Sequence, residues 1–106
     1  MKDYVTQAKL MSVLGEPMRL AILDMISCSE MCACDILEGL TISQSTLSHH
    51  MRVLQKAGIV NAKKDATWVY YSIDPQKVAE LHVILDAILL PKRECVCECI
   101  KPEEDK

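Results

Sequence analysis

The sequence predicts a mostly α-helical fold with a small β-hairpin, in the order ααααββα, and three observations lead to this prediction. Apolar residues recur at helical spacing in segments that glycine or proline separates. The pattern changes after Gly58 to two runs rich in β-favouring residues. Apolar residues make up 50% of the 106 positions, which is enough for one hydrophobic core in a domain of this size.

The first two helices are predicted from apolar spacing and from the residues at their ends. Residues 4–14 form the first helix, which Gly15 ends, and Pro17 suits the first turn of the second. Val5, Ala8, Met11 and Leu14 repeat at helical spacing and predict a modest amphipathic first helix. The predicted inward-facing residues of the second helix are Leu20, Ile22, Leu23 and Ile26.

The next two helices are predicted to form a pair joined by a short polar turn. The stretch "CDILEGL" gives a short helix that stops near Gly39. Ser43 is the predicted cap of the following helix, and Gly58 is placed to end it in a left-handed conformation. Leu47, Met51 and Leu54 repeat at helical spacing and are predicted to pack inward.

A hairpin and a last helix complete the predicted order. The runs "IVNAK" and "TWVYYSI" flank a polar "KDA" turn. Asp74 and Pro75 open a largely apolar helix that continues to about Leu90, and Pro91 ends it. A helix pair followed by a basic hairpin predicts a winged helix-turn-helix, whose second helix enters the DNA major groove. Residues 1–91 form this domain, and residues 92–106 are predicted to be a flexible, cysteine-containing tail.

Charge along the chain indicates a surface that faces phosphates. The net charge is −3, yet residues 43–64 contain four lysines and arginines and no acid. A solvated surface is the competing interpretation of this segment. His50 is predicted either to be buried beside the second helix or to contact DNA. The predicted DNA-binding residues are Ser43, Gln44, Ser45, Thr46, Ser48, His49, Arg52, Lys63 and Lys64.

Six cysteines in two clusters are the other unusual feature: Cys28, Cys32 and Cys34, then Cys95, Cys97 and Cys99. The sequence has no signal peptide and no apolar run long enough for a membrane span, so a cytoplasmic location is expected. Thiols stay reduced there, and clustered cysteines favour metal binding or redox chemistry. All six are candidate metal ligands.

The spacing of Cys32 and Cys34 restricts the backbone between them. Residues i and i+2 of a continuous helix diverge by about 200°, so both thiols can hold one ion only where the backbone is not regularly helical. The start of the third helix offers such a place, and a helix N-terminus is expected to lower the thiol pKa from about 8.5. Binding is expected to distort the third helix, which supports the DNA-reading helix.

Four stretches in this order, "LGEPMRLAIL", "EMCACDIL", "SQSTLSHHMRVLQKAGIV" and "WVYYSI", resemble the ArsR/SmtB family of metal-sensing repressors. The resemblance covers residues 10–90. It implies a homodimeric winged-helix repressor that leaves its operator when a metal or metalloid binds, with the first and last helices in the dimer interface. Two-fold symmetry would place the two reading helices about 34 Å apart on near-palindromic double-stranded DNA.

The resemblance also implies an inducer. The Cys-x-Cys motif is similar to the thiol site of the family's arsenic and cadmium/lead sensors, and trivalent arsenic or antimony is the leading prediction. Cadmium, lead or zinc is the alternative. Some members carry a third cysteine where this chain has Leu37, so the third ligand is Cys28, a tail cysteine or an exogenous thiol. The tail cysteines could also form a separate site.

Three further hypotheses remain open at this point. Oxidation of Cys28, Cys32 and Cys34 could act as a redox switch. The chain could be a metal carrier that donates ions through "CVCEC". Asp74, His82 and Asp86 on the last helix offer an incomplete version of a second family site, and a satisfied or exposed His82 is the preferred interpretation. An enzyme is not expected, because no catalytic motif is present.

Overall fold

The computed structural model describes residues 3–91, where it has five α-helices and one antiparallel sheet of three short strands. The elements are α1 (Tyr4–Leu14), α2 (Pro17–Ile26), β1 (Met31–Cys32), α3 (Ala33–Gly39), α4 (Gln44–Lys56), β2 (Val60–Asp65), β3 (Trp68–Ile73) and α5 (Pro75–Leu89). The mostly helical fold with a hairpin is confirmed. The strand β1 is an addition that the sequence did not predict, and the predicted tail lies outside the described residues.

Helix boundaries follow from local capping. Four helices begin after a residue whose side-chain oxygen accepts a hydrogen bond from a backbone N–H of the same helix. These caps are Asp3, Glu16, Ser43 and Asp74. Cys32 occupies the same position before α3, but its side chain makes no capping hydrogen bond. Gly58 follows α4 with a φ of 82°, as predicted for a left-handed residue at a helix end.

The sheet joins the hairpin to the start of α3. Its strand order is β1-β3-β2, so β3 pairs with both neighbours. The hairpin β2–β3, called the wing below, turns through Ala66 and Thr67, slightly later than the predicted "KDA" turn. Ala66 has a φ of 59°, a left-handed conformation that tight hairpin turns require and that alanine adopts at a cost.

The core lies between α2, α3, α4 and the inner side of the sheet. Its buried cluster consists of Ile22, Ile26, Ile36, Leu47, Met51, Leu54, Ile59 and Val60. The predicted inward position of Leu20 is wrong, since its residue is 53% exposed. Leu20 precedes Ile22 by two residues, which places the two side chains about 200° apart around the helix.

Helices α1 and α5 contribute little to this core. No residue of α1 is buried, and Val5 and Ala8 are exposed. The residues of α1 that pack against the core are Leu10, Val13 and Leu14, towards the helix end. Leu81 is the one buried residue of α5, and Val83, Leu85, Ile88, Leu89 and Leu90 are exposed apolar residues on or just after it. Among the described helices, none has the length and apolarity that a membrane span needs.

Candidate thiol site and nucleic-acid interface

The helix α4 separates an apolar face from a polar face. Leu47, Met51 and Leu54 are buried, as predicted. The polar residues proposed to contact DNA from this helix and its cap are all exposed: Ser43, Gln44, Ser45, Thr46, Ser48, His49 and Arg52. Ser43 Oγ accepts from the backbone N–H of Thr46 at 3.1 Å and lies 2.9 Å from the Thr46 hydroxyl. The hydroxyl of Ser43 therefore serves first to fix the start of the helix.

His50 is buried against α2 rather than exposed on the polar face of α4. Its residue is 9% exposed, and its Nδ1 atom lies 3.2 Å from Nη1 of Arg19. Because a guanidinium group only donates, Nδ1 of His50 accepts this hydrogen bond. Nε of Arg19 donates to the carbonyl oxygen of Val13 at 2.7 Å. Arg19 and His50 therefore connect α4 to α2 and to the last turn of α1. Of the two predicted positions of His50, the buried one beside the second helix is the one observed.

The wing presents cations beside an exposed aromatic residue. Lys63 and Lys64 are exposed, and Nζ of Lys63 lies 3.6 Å from Oε2 of Glu30 in the loop before β1. Trp68 begins β3 directly after the turn and is 52% exposed. Trp68 was not among the predicted DNA-binding residues, although an indole near two lysines in a predicted hairpin is a pattern that indicates a binding surface.

Cys32 and Cys34 lie together at the junction of β1 and α3. Cys32 ends the strand in an extended conformation, with φ −71° and ψ 144°, and Cys34 lies in the first turn of α3. The predicted break in helical geometry between the two residues is therefore present. Their Sγ atoms are 2.9 Å apart and share a hydrogen bond. Cys32 is buried and Cys34 is exposed, so this thiol pair is reachable from one side.

The pKa of Cys34 is raised, opposite to the expected effect of a helix N-terminus. The largest cause is the hydrogen bond with Cys32, which favours the protonated thiol, followed by partial desolvation and by repulsion from Cys32 and Asp35. Asp35 Oδ1 lies 4.0 Å from Sγ of Cys34. The expected lowering of the pKa is therefore wrong for Cys34, because the neighbouring thiol and carboxylate favour its protonated form.

Within residues 3–91, no group of three His, Cys, Asp or Glu side chains is placed to hold a metal ion. Cys28 is exposed in the loop after α2 and does not complete the thiol pair. Leu37, which stands where some family members have a third cysteine, is partly buried and packs against the core. The remaining candidate ligands, Cys95, Cys97 and Cys99, lie outside the described residues.

The acids and histidine of the last helix do not form a second site. The carboxylate of Asp74 caps α5 by accepting from the backbone N–H groups of Gln76 and Lys77. His82 and Asp86 are exposed, and no metal-binding group of three appears in the described chain. An exposed His82 agrees with the preferred interpretation of the sequence.

A helix pair followed by a basic wing, on a three-stranded sheet, defines a winged helix-turn-helix regulator. A crystal structure described as a possible transcriptional regulator for arsenical resistance is similar, with a TM-score of 0.71 at 30% identity; the match covers 78% of this chain and 86% of that one. Reduced HlyU from Vibrio cholerae gives a TM-score of 0.67 at 27% identity over 83% of this chain and 93% of that one.

The sequence itself narrows this class to one family. Residues 16–62 match the model of the arsR family of bacterial regulatory proteins. The arsenical resistance operon repressor of Staphylococcus xylosus is 37% identical over 102 residues, covering 96% of this chain and 98% of the relative. A CadC homologue of Staphylococcus aureus, named a cadmium resistance transcriptional regulatory protein, is 36% identical over 75 residues, 70% of this chain and 62% of that protein. The chain belongs to the ArsR family of transcriptional regulators, and the expectation that it is not an enzyme is confirmed.

Proposed function

We propose that this protein is a metalloid-responsive repressor that binds operator DNA as a homodimer and leaves it when trivalent arsenic or antimony binds cysteine thiolates. The observation that carries the proposal is the thiol pair at 2.9 Å, placed where β1 becomes α3. Relatives named arsenical resistance operon repressors, which match nearly the full chain, support the choice of ligand.

The DNA surface in this proposal consists of the polar face of α4 and the wing. Gln44, Ser48, His49 and Arg52 are exposed on the side of α4 opposite its buried leucines, so they are free to meet base edges and phosphates. Lys63 and Lys64 add positive charge along the wing, on opposite faces of its strand. A two-fold symmetric dimer would match a near-palindromic operator whose two half-sites have centres about one turn of DNA apart.

The dimer is proposed to form through α1 and α5. Tyr4 and Val5 at the start of α1 are 57% and 69% exposed, and α5 carries a larger set of exposed apolar residues. Exposed apolar residues on two helices suit an interaction surface on a small regulator. Burial of these residues between two copies would give α1 and α5 the core that a single copy does not supply.

Capture of an ion requires the thiol pair to open. Binding removes the thiol protons, so the hydrogen bond that now joins the two sulfur atoms is lost. The present separation of 2.9 Å must therefore grow, because two sulfur atoms that no longer share a proton repel each other. Cys34 belongs to α3, whose buried Ile36 packs in the same cluster as Leu47 and Leu54 of α4. A displacement of α3 is thereby passed to the reading helix.

The third ligand is proposed to be Cys28, one of Cys95, Cys97 and Cys99, or an exogenous thiol. Cys28 would have to move towards the thiol pair, whereas a tail cysteine could come from the same copy or from the other. A trivalent centre held by three thiolates satisfies the preference of soft ions for sulfur.

Single substitutions test the assigned inducer site. Cys32→Ser and Cys34→Ser are each expected to keep operator affinity within about twofold and to abolish release by arsenite, measured by the anisotropy of a labelled operator duplex. Cys28→Ser is the matched control among the described cysteines. A lost response assigns the third ligand to Cys28, and a normal response assigns it to the tail or to an exogenous thiol. Normal arsenite release in both Cys32→Ser and Cys34→Ser would reject the proposed site.

A cadmium-, lead- or zinc-responsive repressor is the second candidate, favoured by the relatives named as cadmium regulators. Proton release separates the two ligand classes. Arsenous acid condenses with thiols and releases water, whereas a divalent cation displaces the thiol protons. Titration calorimetry in two buffers of different ionisation enthalpy should therefore give equal heats for arsenite and unequal heats for cadmium.

A thiol redox switch is the third candidate, because the 2.9 Å contact places two thiols where an oxidant could join them. Release of DNA by peroxide without any added metal would favour it. Continued operator binding in peroxide, together with release by arsenite, would favour the metalloid sensor.

A further inference from the structure

The three-stranded sheet has two faces with different functions. Met31, Tyr71 and Ile73 pack against the hydrophobic core and define its inner face. Because side chains alternate along a strand, Cys32 and Tyr70 point to the opposite side, called the outer face below. The thiol that ends β1 therefore shares a sheet face with residues of the wing.

The strand register gives the order of side chains across this outer face. Cys32 is opposite Tyr70 in the β1–β3 pair, and Tyr70 is opposite Lys63 in the β2–β3 pair. Directly opposed residues of antiparallel strands have Cβ atoms about 4.5–5.5 Å apart, so their side chains are neighbours. Tyr70 thus stands between a proposed inducer ligand and a proposed phosphate contact.

The burial of Cys32 supports the position of Tyr70 as its cover. Cys32 is 6% exposed although it faces away from the core, so neighbouring side chains shield it, and the Cys34 thiol at 2.9 Å is one of them. Tyr70 is half-buried and is the large side chain directly beside it in the register. Contact between an aromatic ring and a cysteine or methionine sulfur is also favourable in itself.

We propose that the ring of Tyr70 forms one wall of the thiol site. When an ion binds at this site, Tyr70 moves and displaces the wing. This inference rests on the function proposed above and adds a second route from the inducer to DNA. When the sulfur atoms separate, Cys32 is restrained by its ladder to β3, and the ring of Tyr70 must move with it or make room.

The far side of Tyr70 explains why this movement matters for DNA binding. Lys63 is its cross-strand neighbour and is held 3.6 Å from Glu30, which also lies next to β1. A shift of Tyr70 changes the position of Lys63 relative to both Glu30 and the DNA backbone. The inducer would then misplace the wing and the reading helix together.

The chain contains a built-in reporter for this route. Trp68 is the single tryptophan of the sequence, it lies on the outer face two residues before Tyr70, and it is 52% exposed. The full-length protein is titrated with arsenite while Trp68 emission is recorded. Occupancy is measured separately, as protection of Cys32 and Cys34 from alkylation by N-ethylmaleimide in mass spectra of the peptide that contains them.

The wild-type protein should show a Trp68 emission change with the same midpoint as thiol protection. Tyr70→Ala should keep thiol protection, lose at least about half of the emission change, and require at least fivefold more arsenite for operator release. Tyr70→Phe should behave as wild type, because the ring and not the hydroxyl forms the wall. Ser72→Ala, on the same strand and face, is the matched control and should also behave as wild type.

Two results overturn the inference, and they are distinguishable. If arsenite protects the thiols but Tyr70→Ala keeps the wild-type emission change and release midpoint, the route through Tyr70 is wrong and the proposed function stands. If arsenite does not protect the thiols of the wild-type protein, the proposed function fails and the inference falls with it.

A measurement on the unmodified protein guards against misfolding of Tyr70→Ala. Backbone amides of β3 should exchange with deuterium at least tenfold faster when arsenite is bound, because the displaced ring of Tyr70 weakens the pairing of β3 with its neighbours. Unchanged exchange at full thiol protection would contradict the proposal without any substitution.

Discussion

The substitution Lys64→Ala tests the proposed contact between the wing and the DNA backbone. Lys64 is exposed next to the hairpin turn, and no ion pair of the described residues engages it. Each neutralised phosphate contributes about 0.9 to the slope of log affinity against log salt. A dimer of the variant lacks two such cations, so its slope should be flatter by about 1.8.

This change in slope has a measurable size. Between about 50 and 200 mM salt, a slope difference of about 1.8 shrinks the affinity ratio of wild type to variant by about 12-fold. The assay is fluorescence anisotropy on a labelled duplex selected for tight binding, at four or more salt concentrations. Lys9→Ala removes an exposed lysine from α1, away from the proposed DNA surface, and should leave the slope unchanged. Parallel lines for wild type and Lys64→Ala would refute the phosphate contact.

Three predictions concern the fold and the thiols. Ala66→Gly should raise the free energy of unfolding by about 0.5–1 kcal/mol in urea titrations, because the left-handed φ of 59° strains alanine; no gain would contradict that strain. Leu54→Ala should lower it by about 2–5 kcal/mol, whereas the half-exposed control Leu20→Ala should cost less than about 1 kcal/mol; equal losses would argue against the described core. Alkylation of Cys34 by iodoacetamide, followed by mass spectrometry, should rise at higher pH than for a free thiol, because its pKa is raised. Cys32→Ala removes the main cause and should move the profile to lower pH; an unmoved profile would reject that hydrogen bond as the cause.

The helices were predictable because each has a periodic apolar face and a recognisable end. Ser43 and Gly58 bound α4 in both the sequence and the structure, since capping depends on residues next to each other in the chain. The strand β1 was not predictable, because two residues carry no period and their strand geometry depends on pairing with Tyr70 and Tyr71.

The properties of the thiol pair also depended on three-dimensional contacts. The sequence predicted that Cys32 and Cys34 flank a break in helical geometry, and they do. The predicted direction of the pKa shift of Cys34 was wrong, because that shift comes mainly from the hydrogen bond with Cys32 and from desolvation, which depend on the folded structure. The apolar spacing likewise predicted an apolar α5. It did not predict that most of these apolar side chains are exposed in a single copy of the protein.

The position of Cys32 at the junction of a strand and a helix has a practical consequence for sensor engineering. Cys32 is the last residue of β1 and the N-cap of α3, so replacing it changes how ion binding moves these elements as well as which ions bind. Cys34 is exposed and belongs to one element, so it is the position where an imidazole or carboxylate could be installed to recruit a harder metal. Retargeted biosensors built on this scaffold should therefore vary residue 34 first and keep the buried sulfur as a fixed anchor.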